Sequence, residues 1–201
     1  MKKLILASSL LLPTFPVHAI ESLPWTQASL AYTRVTPSIS DSAYTKATPS
    51  ASYNLHGVSF IGTNLLDENA FVTGRLESTS KTGGATAAEF MRLSLGVGYR
   101  QSILDTINIF GKASYESNYF KESSSESISN YGYGLEGGAR FLIAQRLELG
   151  ASLSRITFAG VSEAALNLSA AFHISNHHSI GLFNSRYEDA SYTDLRWTYS
   201  F

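Results

Sequence analysis

The sequence predicts an all-β fold: an antiparallel, up-and-down transmembrane β-barrel of about ten strands, with eight as the alternative. Three observations carry that expectation. Segments of apolar–polar alternation recur along the chain, the pattern of strands with one apolar and one wet face. The connections between them alternate between short turns and longer stretches rich in Ser, Thr, Gly or Glu. The last segment keeps the alternation to its end, with Leu195, Trp197, Tyr199 and Phe201 set against Asp194, Arg196, Thr198 and Ser200.

The first residues read as an export signal. Lys2 and Lys3 form a basic start, Leu4 to Leu12 an apolar run, and Pro13 and Pro16 break it. Val17-His18-Ala19 places small residues at the positions a signal peptidase reads, so residues 1–19 are expected to be removed and residues 20–201 to form one domain. The apolar run is about half the length a spanning helix needs. The chain of 201 residues has no cysteine and a net charge of -1. An exported domain without disulfides draws its stability from a sizeable core or from a bilayer around it. A near-neutral charge implies no strong attraction to nucleic acid.

Taken in order, residues 26–36 form a first strand, with Ala28, Leu30 and Tyr32 on one face. Residues 53–66 form a second, whose apolar positions change parity near Gly57-Val58, so a bulge or a slipped register is expected there. Residues 70–80 follow the turn at Asp67-Glu68-Asn69. Residues 88–102 set Met91, Leu93, Leu95, Val97 and Tyr99 against Arg92, Ser94, Gly96, Gly98 and Arg100. Residues 106–120 set Ile107, Ile109, Ala113 and Tyr115 against Asn108, Lys112, Ser114 and Glu116. Residues 130–143 alternate most clearly, with Tyr131, Tyr133, Leu135, Ala139 and Phe141 opposite Gly132, Gly134, Glu136, Gly138 and Arg140. Strands at 147–157, 164–175, 179–188 and 192–201 complete the count.

Turns near Asp67, Asp105, Gln145 and His177 are tight, whereas the connections at 37–50, 80–87, 121–129, 159–163 and 188–191 are expected to be mostly longer. Short periplasmic turns and longer external loops mark a barrel of the outer membrane. In such a barrel the apolar face meets lipid and the polar face lines the lumen. The aromatics fit that orientation. Tyr99, Tyr115, Tyr131, Tyr133, Trp197, Tyr199 and Phe201 lie toward strand ends on the apolar face, as interfacial girdles do.

The closing strand and the stretches Tyr131-Gly132-Tyr133-Gly134-Leu135-Glu136-Gly137-Gly138-Ala139-Arg140 and Leu95-Gly96-Val97-Gly98-Tyr99-Arg100 resemble the small outer-membrane β-barrel proteins of Gram-negative bacteria, of the OmpA transmembrane type. The resemblance covers essentially all of residues 20–201. It implies a location in the outer membrane, with outer-membrane lipids and lipopolysaccharide as surroundings. It implies insertion by the outer-membrane assembly machinery, with Trp197, Tyr199 and Phe201 as the assembly signal, and a monomer without cofactor. That family is mostly eight-stranded, and ten strands would depart from it.

The polar face carries Arg75, Arg92, Arg100, Lys112, Arg140 and Arg196 against Glu77, Glu116, Glu136, Glu148 and Asp194. In a narrow barrel such side chains fill the interior and satisfy one another. This predicts a plugged lumen, with a narrow porin-like channel as the alternative. The inward glycines Gly96, Gly98, Gly132, Gly134 and Gly138 are expected to leave room for those long side chains. The recognition role then falls to the external loops, among them the polar, acidic segment Lys121 to Ser127. One enzymatic alternative rests on His173-Ile174-Ser175-Asn176. This resembles the His-x-Ser-Asn form of the lipid A 3-O-deacylase family, which implies His173 as base, Ser175 as nucleophile and Glu188 as the orienting acid. The Arg that family carries upstream of the His is replaced here by Ala170-Ala171. The parity of the strand also turns His173 and Ser175 toward the lumen, away from acyl chains. His177-His178 is a further pair with metal-ligand chemistry, though adjacent histidines on a turn rarely form a site unaided. The reading favoured by the residues is a non-enzymatic barrel.

Overall fold

The structure is a computed structural model that describes residues 22–37, 54–81, 87–122, 127–188 and 190–201. The expected signal segment and most of the first external loop lie outside the described residues. So do parts of the connections at 80–87 and 121–129. Ten antiparallel strands form one closed barrel: β1 (Gln27–Pro37), β2 (Leu55–Leu65), β3 (Ala70–Lys81), β4 (Ala88–Leu104), β5 (Ile107–Glu122), β6 (Ile128–Ile143), β7 (Leu147–Phe158), β8 (Val161–His173), β9 (His178–Tyr187) and β10 (Ala190–Ser200). Each strand pairs with its sequence neighbours. Closure comes from β1, which takes β2 on one side and β10 on the other, so that Leu30 lies opposite both Phe60 and Trp197. Every strand thereby has two partners, which removes the free edge that hydrocarbon would not tolerate.

The two faces follow the sequence parity. Leu30, Leu76, Leu95, Leu135, Leu153 and Leu168 point outward and are half exposed or more. Thr33, Ser59, Glu77, Glu116 and Asp194 point inward and are buried. A soluble protein does not leave so many large apolar side chains in water. A bilayer around the wall accounts for them.

Several expectations change in detail. β2 runs in unbroken register with both β1 and β3, without the bulge expected near Gly57. Its parity change has another cause: Leu55 points inward and joins an apolar cluster in the barrel interior, whereas Val58 and Phe60 point outward. The register irregularity lies instead in β4, between Ser102 and Leu104. β8 begins and ends earlier than expected, and Ile174 and Ser175 belong to the turn after it. The connections expected to be long at 159–163 and 188–191 are tight, with two residues each between the strands. Ala159 (φ 47°) and Gly160 (φ 87°) give the left-handed pair that a two-residue hairpin requires.

The turns at the opposite end are built by side chains. Asp67 Oδ1 accepts the backbone N–H groups of Asn69 (2.7 Å) and Ala70 (2.6 Å). The Ala70 bond, followed by that of Asn69, holds the Asp67 carboxyl below its ordinary range. Ser175 Oγ accepts the N–H groups of His177 (3.3 Å) and His178 (3.1 Å) in the same manner.

The inward glycines serve a more varied purpose than space for charge. A Cβ on Gly98 would strike the Phe71 ring, and one on Gly132 would strike the Thr157 carbonyl and the Phe158 ring. Only at Gly134, where a Cβ would sit 3.3 Å from Glu116 Oε1, is the space taken by a lumen charge. Two glycines of β2 give a direct test. A Cβ on Gly57 would overlap the backbone of Ser78 and Thr79, while one on Gly62 would meet nothing within 4 Å. Gly57→Ala is expected to destabilise the barrel by about 1–3 kcal/mol through overpacking. Gly62→Ala should be neutral or slightly stabilising. Urea unfolding in lipid vesicles checks the contrast, and equal effects would contradict the backbone approach at Gly57.

Candidate functional site: the barrel lumen

The lumen is filled in three tiers. The middle tier is ionic. Inward positions on β3, β4, β5, β6, β7 and β10 bring the expected charges together, because alternate residues of each strand point to the same side. Asp194 is its most heavily used acceptor. Its carboxylate meets Arg75 at 3.0 Å and Arg196 at 2.8 Å, and the Thr33 hydroxyl donates to it at 2.8 Å. Arg75 also pairs with Glu77 at 2.7 Å. Arg92 donates through two nitrogens to Glu116, whose other oxygen accepts from Ser94 and Ser114 at 2.7 Å each. Lys112 pairs with Glu136 at 2.8 Å and Arg140 with Glu148 at 2.7 Å. Ten of the eleven charges expected on the polar face are thus in ion pairs, so the interior approaches internal neutrality. Arg100 is the remaining one; it donates to Asn108 Oδ1 at 3.1 Å and to the Glu68 carbonyl at 2.9 Å.

The second tier closes the end that carries the loops. Val35, Leu55, Ala88, Phe90, Ile156, Phe158, Ala165, Tyr187, Ala190 and Tyr192 form a buried apolar cluster inside the barrel, with Phe120 packed against it. These side chains come from eight of the ten strands and lie near the strand ends. Phe90 and Tyr187 both pack on the Tyr192 ring, at centroid distances of 6.5 and 5.6 Å. The Arg92 guanidinium lies 5.9 Å from the same ring, which joins this lid to the ionic tier.

The third tier closes the end that carries the short turns. The segment before β1 folds into the mouth and buries Leu23 and Trp25. Trp25 Nε1 donates to Asn108 Oδ1 at 3.0 Å, and its ring packs on Phe71 (4.9 Å) and Phe110 (5.8 Å). Arg140 and Arg100 lie over the ring at 4.7 and 5.5 Å. The buried indole therefore has its polar atom satisfied and its π face next to cations. A cavity of about 260 Å³ remains between the tiers, lined by Arg75, Arg92, Lys112, Glu136, Arg140 and Arg196 among others. Such a polar space suits water.

Sequence reasoning did not foresee the two apolar tiers. The signal for the upper one was present: Leu55, Phe90, Tyr187 and Tyr192 are large apolar residues at lumen parity near strand ends. Nothing in the alternation pointed to Trp25, which precedes the first strand.

The residues considered for chemistry are placed apart. His173 is buried in the lumen, where Nε2 sits 3.1 Å from Glu148 Oε2. Ser175 Oγ is engaged by the turn, and Glu188 lies at the other end of β9. His177 Nδ1 contacts the Ser200 carbonyl at 2.8 Å, and the His178 ring stacks on Trp197 at 5.6 Å. Among the described residues no group of three or more His, Asp or Glu side chains is arranged to hold a metal. Trp197 points outward, Tyr199 is half-buried, and Phe201 is 75 % exposed with its ring edge-on to Tyr199 at 5.0 Å.

A closed ten-stranded wall with an apolar outside and a charged inside is the architecture of one protein class, and the sequence comparison agrees. Residues 7–173 match the family described as outer membrane protein beta-barrel domain. The chain belongs to that family. It is accordingly a protein of the outer membrane. No curated protein sequence matches it. Similar solved structures include Ail, the attachment invasion locus protein of Yersinia pestis (14 % identity, TM-score 0.46, covering 89 % of this chain and 99 % of that one). An outer-membrane channel from Pseudomonas putida F1 is similar too (12 %, 0.48, 91 % and 97 %). So is OprG from Pseudomonas aeruginosa (10 %, 0.45, 90 % and 99 %). None of these likenesses carries an argument about what this barrel does.

The ionic tier yields a test. Asp194→Asn keeps the side-chain shape but leaves Arg75 and Arg196 facing each other across a neutral amide. The substitution is expected to cost about 1–3 kcal/mol, as for a buried charge-assisted hydrogen bond. Chemical unfolding of the reconstituted variant measures it; an unchanged midpoint would mean that the two guanidiniums are satisfied elsewhere.

Proposed function

We propose that this barrel is a closed, non-conducting outer-membrane protein whose function lies in recognition by its external loops. The apolar lid carries this reading. A conducting path needs a continuous polar lining, and the inward face near the loops is instead closed by aromatic and aliphatic side chains from eight strands. The ionic tier and Trp25 add two further barriers. The alternative is a gated channel, and the observation favouring it is the polar cavity between the lids. Enzymatic chemistry has less support, because His173, Ser175 and Glu188 occupy different places. For recognition, the support is the polar, acidic loop sequence from Lys121 to Ser127.

Planar-bilayer recording tests the closed lumen. The wild-type protein is expected to give no steady conductance. A variant combining Trp25→Ala, Phe90→Ala and Tyr192→Ala thins both lids and leaves the ionic tier, so it should give small discrete steps where the wild type gives none. Stable wild-type steps would shift the reading to the channel.

We also propose that Trp197, Tyr199 and Phe201 form the assembly signal. Phe201 makes one backbone bond, from its N–H to the Thr26 carbonyl at 3.1 Å, and its ring is largely exposed. Its contribution to the folded barrel is therefore small. Phe201→Asp is expected to lower outer-membrane levels in cells severalfold while leaving refolding into synthetic vesicles nearly unchanged. Equal losses in both assays would make Phe201 a stability residue instead.

A further inference from the structure

The outer wall carries two cations near its loop end. Arg155 on β7 and Arg186 on β9 both point outward and are exposed. Neither has an ion pair or hydrogen bond among the described residues. Each lies close to the loop end of its strand: Arg155 three residues before Phe158, and Arg186 one before Tyr187. β8 runs between them, with Ala164 opposite Arg155 and Leu166 opposite Arg186. Two interstrand spacings and a two-residue stagger thus put the two backbones about 12 Å apart. Each guanidinium is long enough to turn toward the other.

Below Arg155 the wall is hollow. A trough opens between Leu135, Leu153 and Leu166, with Gly111 and Gly137 at its floor. The two glycines face one another across β5 and β6, and Ala139 and Ala151 continue the small-residue floor between β6 and β7. The barrel itself does not require these glycines. A Cβ on Gly137 would meet nothing nearer than the Phe110 carbonyl at 3.7 Å, and one on Gly111 nothing nearer than the Glu136 carbonyl at 3.9 Å. No outward carboxylate lies on β7, β8 or β9 among the described residues, and the nearest exposed one, Glu188, lies in the turn beyond β9.

We propose that this part of the wall, between β5 and β9, is a binding site for a lipid of the outer leaflet that carries a phosphorylated headgroup. Arg155 and Arg186 hold the phosphate, and one acyl chain lies in the trough over Gly111 and Gly137. The fit is one of charge and of shape. A guanidinium is weakly hydrated and presents a planar fork to phosphate oxygens, so it suits a phosphate at the membrane boundary better than any neutral headgroup. An arginine on the lipid face is tolerated near the interface and penalised toward the midplane, which fits the position of both residues near their strand ends. The site is on the wall and not in the lumen, so it stands whether or not the barrel conducts.

Native mass spectrometry of the folded barrel, released from detergent with added lipid A, tests the proposal. The probes are bisphosphorylated lipid A and the same lipid after enzymatic removal of both phosphates. Heat-modifiable gel mobility confirms that each variant is folded. The wild type is expected to retain the phosphorylated form with at least about tenfold preference, the scale of a charge-assisted hydrogen bond. The double variant Arg155→Gln/Arg186→Gln should lose the preference, and Arg155→Lys/Arg186→Lys should keep part of it. Gly137→Leu fills the trough while leaving both cations, and should lower retention of both lipids. Inorganic phosphate at equal phosphate concentration should not displace the lipid. No preference in the wild type, an unchanged preference in the glutamine variant, or displacement by inorganic phosphate would overturn the site. Should the glutamine variant fail to fold, the Gly137→Leu result decides: undiminished lipid retention overturns the proposal.

Discussion

The pairing of β1 with β10 is the constraint on which the rest of this structure depends. In hydrocarbon a backbone N–H or C=O without a partner costs several kcal/mol, so a sheet can cross only if it has no edge. Eleven residue pairs join the first strand to the last, from Gln27 with Ser200 to Pro37 with Ala190. Once that seam closes, each strand has a lipid side and a lumen side, and the identity of every alternate residue is limited by the side on which it falls. The outward leucines and the inward ion pairs are two consequences of one hydrogen-bonded ring.

The contents of the lumen then follow from its width. A ten-stranded ring is wider than one just filled by side chains, so small residues alone would leave an open passage. Long side chains fill it in the middle, where Arg75, Arg196 and Asp194 meet across the interior. Charges are tolerated there because all but Arg100 are in ion pairs, Arg100 is hydrogen-bonded, and the remaining space is polar. At the two mouths the ionic solution gives way to aromatic rings. An ion pair at a mouth would be open to bulk water and screened by salt, and would close it weakly. Tyr192 at one end and Trp25 at the other close the mouths by packing, and Arg92, Arg100 and Arg140 tie both rings to the charges between.

The sequence displayed the wall more clearly than the interior. Period-two alternation marks a strand and its two faces locally, so β4, β6 and β7 could be placed to within a few residues. Pairing is a long-range property and left no such mark. Arg140 sits four residues after Glu136 on β6, yet its partner is Glu148 on β7, and Glu136 instead takes Lys112 of β5. Those choices depend on how neighbouring strands are staggered, which no single strand encodes. The apolar lid was hidden for a related reason. An all-polar lumen has no place for Leu55 or Phe90, and under that assumption the parity change in β2 suggests a bulge rather than an inward leucine. The hairpins after β7 and β9 were overestimated because polar residues such as Ser162, Glu188 and Ser191 resemble loop composition while belonging to strand ends or a two-residue turn.

The loops, the turns and the lipid-facing belt are three surfaces of this barrel that face other molecules. The belt is usually treated as inert, since any leucine satisfies a hydrocarbon chain. Its chemistry here is not uniform. The same wall that holds Glu136 on its inner side presents Gly137 on its outer side, because adjacent residues of a strand face opposite ways. One register of β6 therefore sets both sides at once: a slip by one residue would carry Glu136 into lipid and Gly137 into the lumen.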